Sequence, residues 1–227
     1  NALPRAHDAS ERGSTFIYII TYKQMRQLKQ WILAAILTVS GAVNVNAQTK
    51  EGEWFFSGWI GAGWSNFMGD IEDAKGRFGL AVNGEIGYNV TDWFAPSLGL
   101  TNTYQGVKYE ITSRTMNMDI LSVPLVANFT VGPVTLKAGI QPDFMLSAQM
   151  DDISYRDQLK TVTLSAPVAL NWQFYTDSDG DLWFVELRYH LGLTKMNKGD
   201  MFSNGWRTPG SIRNSCLMLT VGYKCDL

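Results

Sequence analysis

His190 is the residue with the most chemical potential in this sequence, and its neighbours decide whether that potential is used. A histidine beside a serine and an acid makes an acyl-transfer or hydrolytic centre. The other histidine is His7, near the N-terminus. His190 stands two residues from Arg188, with no serine close by in its own stretch and only Ser147 or Ser165 as candidate neighbours from elsewhere. This spacing argues against catalysis. Asp177-Ser-Asp-Gly-Asp181 resembles the start of a calcium loop, but an EF-hand needs glycine sixth and glutamate twelfth. Here Gly180 is fourth and Arg188 is twelfth, so an Asp-Gly hairpin turn is the simpler account. Cys216 and Cys225 fall nine positions apart in one extended stretch, roughly 30 Å at strand rise, too far for a disulfide. The sequons at Asn89 and Asn128 fall at a strand end and within a strand, which disfavours glycosylation. With no Cys/His cluster, Gly-rich phosphate loop or basic stripe, the expectation is no metal, no cofactor and no nucleic-acid partner.

What remains is a balanced set of charges: Glu85, Asp143 and Glu186 against Lys137, Arg188 and Lys224, with His190 among them. The elements that carry them alternate strictly. From Leu182, residues Trp183, Val185, Leu187, Tyr189, Leu191 and Leu193 share one face, while Glu186, Arg188, His190 and Gly192 share the other. Leu217, Leu219, Val221 and Tyr223 oppose Cys216, Met218, Thr220, Gly222 and Lys224 in the same way. Val134 to Leu146 oppose a face carrying Lys137, Gln141, Asp143, Ser147 and Gln149; the stretches 121–129 and 162–174 repeat the pattern. With three Gly- and Ala-rich stretches near 54–65, 78–89 and 93–104, eight strands result, each about 10 to 14 residues long. That is the length of a tilted strand crossing a bilayer, and twice that of a soluble sandwich strand. Short connections at 90–92, 132–133 and 177–181 alternate with long ones near 66–77, 106–117, 150–158 and 195–213, the outer-membrane pattern of periplasmic turns and extracellular loops. The expected fold is all-β, an eight-stranded antiparallel up-and-down transmembrane β-barrel, because lipid cannot satisfy an open sheet edge.

Composition agrees. Only 18% of residues are charged, against about 25% in ordinary domains, while 12% are aromatic and the net charge is −2. Disorder and a basic nucleic-acid binder are excluded. The mean hydropathy of −0.09 is what apolar lipid-facing positions averaged with polar lumenal ones produce. Trp54, Phe56, Trp93, Phe94, Phe129, Trp172, Phe174, Trp183, Phe184 and Tyr223 gather near the short-turn ends, where an interfacial girdle sits. Every mid-strand ionisable residue is expected on the face opposite the apolar stripe. At the N-terminus, residues 25–47 read as a signal peptide: a basic start from Met25 to Gln30, an apolar core from Trp31 to Val39, and small residues before a cut after Ala47. Residues 1–24 read as a non-native upstream extension, and 48–227 as the barrel domain.

Several stretches resemble a known family. Gly61-Ala-Gly-Trp-Ser-Asn66, residues 89–100, Met118 to Asn128 with its mid-strand Pro124, Leu136 to Pro142, Glu186 to Leu193 and Leu219 to Lys224 are similar to the PorT-like outer-membrane barrels of Bacteroidetes, related in architecture to small OmpA- and OmpX-type barrels. The resemblance implies the outer membrane of a Gram-negative bacterium, insertion by the barrel-assembly machinery, and a role that in one member is protein secretion. One departure is the ending Cys225-Asp-Leu227, where such barrels finish on an aromatic; Tyr223 stands in.

Placed inside a barrel, Glu85, Lys137, Asp143, Glu186, Arg188, His190 and Lys224 form a self-neutralised polar network filling a lumen that eight strands leave just wide enough for side chains. The functional expectation is a non-enzymatic barrel with a structural, interaction or secretion-accessory role. A narrow porin is the alternative, and a lipid A-modifying enzyme a more remote one. Its partners are outer-membrane lipid, the insertion machinery and a secretion or surface protein. The long loop 196–213, with Met201, Phe202 and Trp206 among polar residues, is the candidate interaction surface.

Overall fold

The computed structural model describes residues 51–69, 74–109, 114–151, 153–178, 180–198, 201–203, 206–208 and 210–227. The segments read as an upstream extension (1–24) and a signal peptide (25–47) lie outside the described residues. So do the side chains of Met201, Phe202 and Trp206.

The alternation in the sequence becomes strands β1 (Trp54–Gly69), β2 (Ala74–Tyr88), β3 (Phe94–Tyr109), β4 (Thr115–Ser122), β5 (Leu125–Val131), β6 (Val134–Met150), β7 (Ile153–Ser154), β8 (Val162–Thr176), β9 (Leu182–Gly192), β10 (Met201–Ser203), β11 (Trp206–Thr208) and β12 (Ile212–Asp226). All but β10 and β11, which pair with each other, belong to one antiparallel sheet. That sheet closes on itself. β1 pairs with β2 from Trp54–Tyr88 to Ser65–Arg77, and with β12 from Phe55–Asp226 to Gly69–Ile212. β4 and β5 lie end to end between β3 and β6, and the two-residue β7 pairs only with the end of β6, so the ring has eight staves.

The break between β4 and β5 falls at Val123-Pro124, where proline has no N–H to donate. The register survives it: Thr101 faces Ser122 on one side and Leu98 faces Leu125 on the other. Val123 N–H donates to the Pro142 carbonyl (3.0 Å), and Gly99 N–H donates to the Pro124 carbonyl (2.9 Å), so the backbone groups beside the break are paired. The short connections are tight turns. Gly132, at φ 57°, takes the left-handed position of the β5–β6 hairpin. At 177–181 the Asp177 N–H donates to the Asp181 carbonyl and the Asp177 carboxylate accepts from Asp181 N–H (3.1 Å). This is the hairpin geometry expected from Asp-Gly.

The apolar face points outward. Ile60, Leu80, Leu100, Leu136, Ile140, Leu187 and Leu219 are exposed, a surface that water would not tolerate and hydrocarbon does. Below them, at the short-turn ends, runs a girdle of ring pairs: Trp54–Tyr88 (5.3 Å between centroids), Trp93–Phe129 (6.3 Å), Trp172–Phe174 (6.5 Å) and Trp183–Tyr223 (5.2 Å). Tyr223 also donates its hydroxyl to Asp181. Trp64, Phe78 and Tyr104 are exposed toward the opposite rim.

Four details differ from the sequence reading. Phe184 is not in the girdle; it points inward and is buried, in space that a side chain at Gly222 would fill. A bulge in β6 shifts its phase, because Asp119 faces Ser147 while Ile120 faces Met145. Ser147 and Gln149 therefore leave the lumenal face, and Ala148 and Met150 take it, while Met145, before the bulge, keeps the phase of Asp143. Asp119 is a mid-strand acid on the outward side, held by Asn102 Nδ2 (2.8 Å), so ionisable residues are not confined to the lumenal face. Finally, the stretches 66–77 and 106–117 are largely strand rather than loop. Their alternation is inverted, with apolar Phe67, Val107, Tyr109 and Met116 facing in, as a wall standing above the bilayer requires.

Leu219, midway up the lipid face of β12 between Ala62 and Leu187, tests the wall directly. Leu219→Arg is expected to cost about 2–4 kcal/mol, and Val90→Arg, in a short turn, about 0–1 kcal/mol. Urea unfolding of the barrel refolded in phospholipid vesicles measures both.

Candidate functional site: the barrel lumen

Charges inside an eight-stave barrel must be paired, since desolvating a lone ion costs several kcal/mol. The lumenal acids and bases are arranged accordingly. Glu186 of β9 is fully buried and takes a different cation on each oxygen: Arg188 Nε on Oε1 at 2.6 Å and Lys137 Nζ on Oε2 at 3.4 Å. Asn171 Nδ2 adds a hydrogen bond to Oε2 (3.4 Å). Lys137, from β6, also reaches Glu85 Oε1 on β2 at 3.1 Å. Because β2, β6 and β9 are separate, non-adjacent staves, this chain of Glu85, Lys137, Glu186 and Arg188 crosses the bore and ties three walls together. Two acids against two bases leave it neutral.

Aromatic rings support the cations from the other side. Arg188 Cζ lies 4.8 Å from the Trp59 ring centroid, Lys137 Nζ 5.6 Å from Phe184, and Lys224 Nζ 4.3 Å from Phe55. The remaining predicted members stand apart from the quartet. Asp143 is solvated by neutral donors, Ser122 Oγ (2.6 Å) and Gln141 Nε2 (2.8 Å). Lys224 sits over Phe55 toward the short-turn mouth. His190 is buried, its Nε2 has no hydrogen-bond partner among the described residues, and its register partners are Pro167 and Cys216. Ser165 instead directs its hydroxyl to the Gln141 carbonyl (3.4 Å), and Ser147 is on the far side of the wall. No hydrogen bond joins His190 to a serine among the described residues. Cys216 and Cys225 are both free, and no group of three or more His, Cys, Asp or Glu able to hold a metal occurs among the described residues.

The quartet fills the short-turn half of the lumen. At that end a cavity of about 30 Å³ between Phe55, Glu85, Lys137, Asn171, Phe184 and Lys224 has room for a water or two and nothing larger. The loop-side half is different in kind. It is packed with Met116, Met118, Met145, Met150 and Met196, together with Phe67, Val107, Tyr109, Ile120, Leu159 and Ile212. The expectation of a polar lumen therefore holds for only half of it. Five of the nine methionines form this plug, flexible unbranched side chains that fill an irregular bore. The alternation of Met116, Met118 and Ile120 signals an inward face, and Met145 follows the phase of Asp143, but the β6 bulge that turns Met150 inward has no mark in the sequence.

A closed antiparallel ring with an apolar exterior, an aromatic girdle and a filled interior defines a small outer-membrane β-barrel. The chain belongs to the family described as outer membrane protein beta-barrel domain, whose model matches residues 33–224. It lies in the outer membrane of a Gram-negative bacterium. Solved structures are similar to this chain at low identity. The outer membrane protein OprG of Pseudomonas aeruginosa is 11% identical over 79% of this chain and 98% of its own, with a TM-score of 0.50. Ail, the attachment invasion locus protein of Yersinia pestis, is 15% identical over 76% of this chain and 99% of its own, with a TM-score of 0.45. Neisserial surface protein A is 12% identical over 74% of this chain and 95% of its own, with a TM-score of 0.46. No curated protein matches the sequence.

Removing the shared acid should expose the cost of the network. Glu186→Ala leaves Arg188 without its carboxylate and Lys137 with Glu85 alone, and is expected to destabilise the barrel by about 3–5 kcal/mol. Met118→Ala opens a hole in the plug and should cost about 2–5 kcal/mol. Denaturant midpoints of the vesicle-inserted variants, followed by the loss of heat-modifiable migration on gels, give both values.

Proposed function

We propose that this protein is a non-enzymatic barrel with a closed lumen, which acts as an outer-membrane platform for a protein partner rather than as a channel. The observation that carries this reading is the filling of both halves of the lumen: ion pairs across the bore in one half and close-packed methionines in the other. A filled bore transmits nothing, which leaves the loops and the short-turn face as the surfaces on which a function can be exercised. Similarity to PorT-like barrels of Bacteroidetes supports the secretion-accessory version, in which the partner is a component or cargo of an export apparatus. The loop 196–213, including Met201, Phe202 and Trp206, is the surface assigned to that contact. The segment 25–47 then serves as the export signal.

A narrow porin is the second reading. It is favoured by buried polar atoms without a hydrogen-bond partner in the short-turn half, among them Asn83 Oδ1, Gln141 Oε1, Asn171 Oδ1 and Arg188 Nη2, which give that half the capacity to hold water. The methionine plug is the barrier such a pore has to open.

Planar-bilayer recordings separate the two. The barrel spanning 48–227 is expected to give no steady channels, whereas Met118→Gly together with Met145→Gly should introduce openings by removing the plug. Steady large conductance from the unaltered barrel overturns the closed-lumen reading. In cells, a deletion strain assayed for antibiotic permeability and for export of secreted proteins should keep the first unchanged and lose the second.

A further inference from the structure

An open groove of about 630 Å³ runs across the lipid-facing side of β3, β2, β1, β12 and β9, bordered by Ile60, Leu80, Val82, Tyr104, Leu219 and Val221. Its volume falls within the range of about 300–1,000 Å³ typical of pockets that hold small molecules. Ala62 forms its floor, a short side chain set in register between Leu80 and Leu219. The lining is almost wholly apolar, and it lies between the short-turn aromatic girdle and the rim residues Trp64, Phe78 and Tyr104, which is the depth of the hydrocarbon.

One end of the groove is chemically different. Tyr104 closes it at the loop-side rim, and Arg77 places its guanidinium carbon 5.8 Å from the Tyr104 ring centroid. Arg77 as a whole is half-buried, and its Nη1 is itself buried without a hydrogen-bond partner among the described residues. Two basic side chains stand just above, Lys75 and Lys108, which face each other across β2 and β3. Among the described residues an acid, Asp119, stands in register with Tyr104, and its carboxylate is engaged by Asn102. Tyr104 and Ala62 are separated by two strand spacings, about 10 Å, well within the length of one lipid.

We infer that this groove seats an acyl chain of a phosphorylated outer-leaflet lipid, whose phosphate is bound at Arg77 against Tyr104. Location, shape and charge each select that occupant. Hydrocarbon surrounds the groove, its floor accepts a chain, and a guanidinium at headgroup depth is suited to a phosphate. The site is on the outside of the wall and does not depend on whether the lumen conducts.

Native mass spectrometry of the detergent-folded barrel, titrated with bis-phosphorylated lipid A, with its phosphate-free form and with phosphatidylcholine, tests the assignment. Lipid A should be retained in one-to-one stoichiometry, and the phosphate-free form and phosphatidylcholine at least tenfold less. Ala62→Trp, which fills the floor, and Arg77→Gln, which removes the charge, should each lower retention of lipid A about tenfold. Val168→Trp, on the lipid face of β8, should leave it unchanged. Heat-modifiable migration verifies that each variant is folded, and Arg77→Gln carries the test if Ala62→Trp is not. Equal retention of all three lipids, or an equal fall for Val168→Trp and Ala62→Trp, would overturn the proposal.

Discussion

The structure depends on one constraint: a backbone N–H or C=O facing hydrocarbon must find its partner inside the protein. In a sheet this can be met for every strand only by closure, and here the closing seam is the long pairing of β1 with β12 from Phe55–Asp226 to Gly69–Ile212. The terminal Leu227 N–H is drawn in as well, donating to the Trp54 carbonyl (2.8 Å). Pro124 shows how strictly the rule is kept. It removes one donor from a wall strand, yet Val123 N–H and the Pro124 carbonyl beside it both find partners and the register continues unchanged.

Closure then dictates the interior. Eight staves leave a bore that side chains fill, so anything lumenal is buried whether or not it is apolar. The short-turn half meets this condition with charge: Glu186 shared between Arg188 and Lys137, Lys137 extended to Glu85, and rings laid against the cations. The loop-side half meets it with methionine and aliphatic side chains. The two solutions differ in consequence. Ion pairs join particular staves and hold the barrel's cross-section, whereas methionines fill space without directional bonds and can repack.

Much of this was legible in the order of residues, because a period of two needs no tertiary information to be read. The faces of β9 and β12 follow directly from Trp183 to Leu193 and from Cys216 to Lys224. Where legibility failed, the cause was local. Phe184 has the phase of Glu186 and Arg188, so the alternation itself turns it inward; its aromatic type and its place near a short turn point to the girdle instead, and the phase prevails, with the ring in the space left by Gly222. Ser147 and Gln149 were misassigned because a bulge adds one residue to β6, and one residue inverts every later position. The wall above the bilayer looks like loop in the sequence because its polar residues face out and its apolar ones face in, the reverse of the pattern inside the membrane.

The sequence by itself determined the class of protein, the number of staves, the inward set of charges and the membrane that holds them. These are consequences of alternation, length and turn chemistry along the chain. Only the tertiary structure decided which charges meet, since Glu85 and Lys137 stand 52 residues apart and are joined solely because β2 and β6 face each other across the bore. It also decided that half the lumen is apolar, that Asp143 and His190 stand outside the ion-paired quartet, and that the outer wall is grooved beside Arg77. Contacts of this kind depend on where the ring closes and how the strands are staggered around it. Those are properties of the closed barrel, which no single strand contains.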